Sequence, residues 1–156
     1  MRSWDYRGRG AYSITICTHG RDCLFGSIRD GQAILTELGQ SVEQAWLEVP
    51  SHYSNAEVDV YAVMPNHFHG ILRIVEEPDS SHDAEGERRF GNIQAKSVSS
   101  IVRAFKAGVT RNAGRRVWQD GFHEHIIRDE QDYWNHRRYI ESNPANWGKD
   151  RNHPNS

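Results

Sequence analysis

The chain has 156 residues, enough for one compact domain with a real core. Its 19 Lys and Arg against 21 Asp and Glu leave a formal net charge of -2, so bulk charge does not announce a nucleic-acid binder. No run approaches the ~20 apolar residues that span a bilayer, and MRSWDYRGRG at the N-terminus lacks the apolar core of a signal peptide; a cytoplasmic protein with no membrane association is expected.

Residues 1–10 read as a loosely docked arm carrying Arg2, Arg7 and Arg9 against Asp5. Ala11 to Thr18 alternates Tyr12, Ile14 and Ile16 with small residues, the pattern of a strand. Cys17 and Cys23 flank His19, but the spacing lacks the paired cysteines of a zinc framework, and reduced thiols are expected. Arg21 to Ile28 reads as a hairpin return or a loop with a short strand. From Gly31 to Glu48 the apolar residues Ile34, Leu35, Leu38, Val42, Ala45, Trp46 and Val49 recur at helical intervals, predicting one helix that Pro50 stops.

Ala56–Val63 and Met64–Ile74 predict two strands meeting at a Pro65-Asn66 turn. Strand side chains alternate faces, so Phe68, Leu72 and Ile74 share one side, and His67, His69, Ile71 and Arg73 the other. Two imidazoles on alternate residues of a stiff strand can hold one metal ion between them; two solvated histidines are the plain alternative. Residues 76–95, rich in charge, Ser and Gly without periodicity, are expected to form a flexible or ligand-ordered loop. Ser97 to Asn112 resumes helical spacing, with Val98, Ile101, Val102, Phe105 and Val109 inward.

Charge is sorted along this part of the chain. Glu76 to Glu87 is acidic, whereas Arg88, Arg89, Lys96, Arg103, Lys106, Arg111, Arg115 and Arg116 follow with no acid among them. That is the footprint of a surface for a polyanion, or else of a solvated basic helix. Val117 to Arg128 reads as a last strand, bent at Gly121, and carries a second alternating pair in His123-Glu124-His125. Asp129 to Ser142 is the final helix, ended by Pro144, and residues 151–156 are a tail.

The order strand, helix, paired strands, helix, strand is the β-α-β-β-α-β plan. It predicts an α+β, ferredoxin-like single domain over 11–150, with an antiparallel sheet, both helices on one face and an added C-terminal helix for the open face. On that last helix Tyr139 and Asn143 lie one turn apart on one face, with His136 three residues earlier. Tyr133 is the rival phenol, but it has Arg137 rather than an amide one turn on.

The frames VMPNHFHGILRI, WQDGFHEHIIRDE and RRYIESNP, in that order, resemble the single-tyrosine HUH transposases, and most closely their REP-associated branch. The resemblance runs from about Ala11 to about Asp150. It implies that His67 and His69 are metal ligands, that Asn143 is the third, and that Tyr139 is the nucleophile, with His136 as a candidate helper. The implied cofactor is a divalent ion, Mg2+ or Mn2+, and the implied partner is single-stranded or hairpin DNA. The implied reaction is DNA cleavage and strand transfer through a 5′-phosphotyrosine, which needs a phenol activated by position, metal field or a base. Relatives of this kind act as homodimers or as monomers, and the sequence leaves both open. Two other readings keep the fold: a hairpin-DNA-binding protein without catalysis, and a hydrolase in which metal-held water replaces the tyrosine.

Overall fold

The structure, a computed structural model, describes residues 9–75, 84–150 and 152–154, with side chains of the long helix described from Ser97 onward. The alternation of Tyr12, Ile14 and Ile16 builds β1 (Arg9–Cys17), which pairs antiparallel with β5 (His67–Val75) on one side and β6 (His123–Ile126) on the other. β4 (Ala56–Met64) pairs with β5 across the two-residue Pro65-Asn66 turn. The spatial order β4-β5-β1-β6 is the antiparallel sheet expected of the ferredoxin-like plan.

The first helix is shorter than its apolar stripe suggests. Ile34 and Leu35 belong to a strand, β3 (Gln32–Leu35), paired with β2 (Gly26–Arg29). Asp30 and Gly31 join the two with φ of 53° and 75°, the left-handed pair that a tight hairpin requires. Thr36 then caps α1 (Glu37–Leu47), its hydroxyl accepting from Gly39 N–H at 3.1 Å. Pro50 falls in the first turn of a short α2 (Val49–His52), where its missing N–H costs nothing.

The second helix is longer than expected. α3 runs Ala84–Ala113, so the backbone from Ala84 is helical where a loop over 76–95 was expected, and residues 76–83 lie outside the described residues. The predicted strand from Val117 is interrupted: Thr18 and Trp118 form an isolated bridge, Gly121 turns the chain at φ 76°, and β6 begins only at His123.

The main core lies between the sheet and α1 and α3. Phe68, Leu72 and Ile74 meet Val42 and Trp46 of α1 and Ile101, Val102 and Phe105 of α3. Gly70 sits in the middle of this face, where a Cβ would approach Trp46 Cζ2 and Phe68 Cζ to 2.9 Å each. Its bare backbone lets the indole settle on the strand, 4.8 Å from the Phe68 ring. The other face is covered by α4 (Glu130–Ser142), whose Tyr133 and Ile140 pack on Met64 and Ile71. Among the described residues no helix is long and apolar enough to cross a membrane.

A register shift between Val58 and Tyr61 decides how α4 is held. Val58 pairs with Leu72 and Tyr61 with Gly70, so β4 carries one extra residue, a β-bulge. It turns Val60 toward the α4 cluster and Asp59 toward α4 itself. The Asp59 carboxylate accepts from the Tyr133 hydroxyl at 2.6 Å, Arg73 Nη2 at 3.1 Å and Arg137 Nη1 at 3.2 Å.

Candidate active site

The alternation of β5 brings both histidines to the α4 face, and both are buried, at 1% exposure for His67 and 6% for His69. Each ring is held by a neighbour. His69 Nε2 lies 2.9 Å from the hydroxyl of buried Ser13 on β1, and that hydroxyl lies 3.0 Å from His136 Nδ1 on α4. His136 Nε2 in turn stands 3.4 Å from Asp132 Oδ1, so a polar chain runs Asp132, His136, Ser13, His69. His67 Nδ1 lies 3.1 Å from Asn66 Oδ1, and the Asn66 amide donates to the carbonyls of Arg21 and Asn152, pinning the hairpin turn.

Tyr139 stands against His69. It is half-exposed, and its ring meets His69 edge to face at 5.5 Å between centroids. Asn143, one turn on, is buried, and its Oδ1 has no hydrogen-bond partner among the described residues. Asp150 is buried as well, with Oδ2 lacking a hydrogen-bond partner among the described residues and standing 3.8 Å from His67 Nε2. Buried acceptors are nearly always satisfied, so two such oxygens, one sharing a cleft with His69 and one facing His67, call for an explanation. An open cleft of about 1010 Å³ is lined by His69, Tyr139, Asn143 and Asp150 among others, while His67 is outside its lining and faces Asp150. Imidazole nitrogens with amide and carboxylate oxygens are a donor set that suits a divalent ion such as Mn2+.

The remaining sequence candidates fall elsewhere. Both nitrogens of His136 are engaged by Ser13 and Asp132, so its described contacts lead toward His69 rather than toward the Tyr139 hydroxyl. Burial, reinforced by His125, lowers its pKa. Tyr133 is fully buried, and burial together with Asp59 raises its pKa, which makes it an anchor of α4. His125 and His123 lie on the edge strand with β1 between them and β5. His125 is bonded to Asp132 Oδ2 at 2.8 Å and stacked on His136.

The basic series from Arg88 to Arg111 lies on α3, across the sheet from α4, and Arg115 and Arg116 follow just past its end. Arg103, Arg111 and Arg115 are exposed. Lys106 is committed locally, its Nζ donating to the carbonyls of Gln119 and Gly121 at 2.9 and 2.8 Å, and Arg116 reaches Asp120 at 3.7 Å. The side chains of Arg88, Arg89 and Lys96 lie outside the described residues. Two site residues escaped the sequence reading. Ser13 looked like one of the small residues between apolar ones in a strand. Asp150 lies seven residues beyond Asn143, past a 3-10 turn (Trp147–Lys149) that bends the chain back, and no periodicity marks it.

No family model matches the chain. It is 39% identical over 159 residues to an uncharacterized protein of Haemophilus influenzae, covering 96% of this chain and 88% of that one. It is 32% identical over 93 residues to a REP-associated tyrosine transposase of Escherichia coli, covering 59% of this chain and 46% of that one. A solved REP-associated tyrosine transposase bound to a REP hairpin shares the fold at TM-score 0.63 and 27% identity, over 95% of this chain and 73% of its own. The fold is that of a transposase. More narrowly, these relatives support the REP-associated tyrosine transposases as the family the chain is similar to.

Proposed function

We propose that this protein cuts and rejoins single-stranded DNA beside a hairpin through a covalent bond between Tyr139 and a 5′-phosphate. The family and the hairpin bound in the solved relative support the DNA partner. The observation that carries the chemistry is the Tyr139 phenol standing at a half-exposed position, edge to face with buried His69, on the wall of an open polar cleft. The phenolic oxygen attacks phosphorus, its proton passes to water in the cleft, the bond to the 3′ oxygen breaks, and that oxygen takes a proton from water to leave as a 3′-hydroxyl. The phosphodiester is kept as a tyrosine ester, so attack by a 3′-hydroxyl reverses the step and rejoins a strand.

His67 and His69, with the orphaned oxygens of Asn143 and Asp150, are the groups that would hold Mg2+ or Mn2+. Such an ion supplies neutralisation of the charge that builds on the scissile phosphate. Ser13 and His136 act on His69 as positioning residues, since they touch it in series. The bulge at Asp59 holds α4 and so holds Tyr139 in place. Tyr139 stands beside His69 of its own chain, which supports action in cis by a monomer. Arg103, Arg111, Arg115 and Arg116, with Arg88, Arg89, Lys96 and Lys106 in the same series, are proposed contacts to the DNA backbone.

The test is incubation with a fluorescent hairpin bearing a single-stranded flank, in Mn2+, followed by denaturing electrophoresis. A covalent protein–DNA adduct is expected from wild type and none from Tyr139→Phe. An adduct in Tyr139→Phe overturns the assignment. Cleavage without any adduct points to water as nucleophile, and hairpin binding without cleavage points to a binding protein.

A further inference from the structure

Outside the pair on β5, the described residues hold one group of three His, Cys, Asp or Glu side chains whose ligand atoms all lie within 4.8 Å of one another: His125, Asp132 and His136. We infer that this group is a second metal site, one that takes a borderline transition-metal ion of the Zn2+ class and clips the tyrosine helix to the edge of the sheet.

The geometry is that of a site assembled from two elements. Asp132 and His136 stand four residues apart on α4, so they present ligands to the same side. His125 comes from β6, its ring stacked on that of His136 at 4.4 Å between centroids and 20° between planes. Bridging them closes α4 onto β6, which otherwise lies at the open edge of the sheet. Outer partners already orient the ligands, as metal sites require. His136 Nδ1 is held by the buried Ser13 hydroxyl at 3.0 Å, leaving Nε2 on the Asp132 side. Asp132 Oδ2 accepts the Arg128 N–H at 3.2 Å.

Two imidazoles and one carboxylate with an exposed side make a three-ligand tetrahedral site with water in the fourth position. Nitrogen ligands prefer Zn2+, Co2+ or Ni2+ over Mg2+. The inference does not depend on Tyr139 being a nucleophile.

The experiment uses the full chain stripped with chelator and titrated with Co2+ as a spectroscopic probe, then with Zn2+ as competitor. A His67→Ala/His69→Ala variant is expected to bind one Co2+ with four- or five-coordinate d–d absorption, displaced by Zn2+. Adding His125→Ala or Asp132→Asn is expected to abolish it. In parallel, His125→Ala in the otherwise unchanged chain is expected to bind one ion fewer than wild type and to lose the rise in melting temperature that Zn2+ gives. That comparison holds even if the double variant does not fold. Equal stoichiometry and equal Zn2+ stabilisation in wild type and His125→Ala overturn the proposal.

Discussion

The rings of His69 and Tyr139 meet at 63° with centroids 5.5 Å apart, although one is buried in β5 and the other half-exposed on α4. The contact joins residues 70 positions apart, and it exists because α4 occupies the sheet face opposite α1 and α3. Removing the phenolic oxygen leaves that packing intact. Tyr139→Phe is therefore expected to abolish the covalent adduct while changing stability by no more than about 0.5 kcal/mol, checked by urea denaturation beside the adduct assay.

Ser13 bridges His69 and His136 with one hydroxyl. Ser13→Ala frees both rings to turn. It is expected to raise the Mn2+ concentration needed for adduct formation by about 10- to 100-fold, the usual loss when an outer partner of a ligand is removed. The measurement is the Mn2+ concentration giving half-maximal adduct.

Gly70 underlies Trp46, and a Cβ there meets Trp46 and Phe68 at 2.9 Å. Both rings belong to the packed core and have little room to retreat. Gly70→Ala is expected to cost about 1–3 kcal/mol by overpacking, read as a lower urea midpoint. Because the neighbouring residues on β5 are His69 and Ile71, a shifted strand also lowers adduct yield.

Asp59 accepts from Tyr133, Arg73 and Arg137 at once. Asp59→Ala removes the carboxylate that accepts from a buried phenol and from Arg73 and Arg137, at an expected cost of about 1–3 kcal/mol. Tyr133→Phe removes one of the three bonds and should lose less. The opposite ranking in urea denaturation counts against the bulge as the anchor of α4.

Burial first, then the hydrogen bond and charge of Glu43, pushes Tyr61 from 10.0 up to about 12. The neutral phenol is thus favoured in the folded chain. Its contribution is complete below pH 10.0 and is lost as pH rises through about 12, because the unfolded chain ionises first. Stability should fall over that window, and Tyr61→Phe should shrink the slope without removing it, since Tyr12 and Tyr133 are also raised.

Much of this was legible in local pattern. The alternation of Phe68, Leu72 and Ile74 against His67, His69 and Ile71 predicts the two faces of β5, and the structure keeps them. Helical spacing from Leu38 to Trp46 matches α1, but the same period runs backward over Ile34 and Leu35, which a hairpin claims. The Asp30-Gly31 pair was the available sign. The start of α3 was hidden because Glu85, Arg88 and Arg89 resemble a charged loop in composition, and helix and loop are not separated by polarity alone.

What the sequence by itself determined was periodicity: which side chains share a face, where α4 starts and stops, and that Tyr139 and Asn143 lie one turn apart. Only the tertiary structure decided which faces meet. The bulge at Asp59, the return of the chain that buries Asp150 beside His67, and the union of His125 with Asp132 and His136 are contacts between elements. Short-range spacing reports the geometry of one helix or strand, whereas partners across a sheet are chosen by the packing of the whole core.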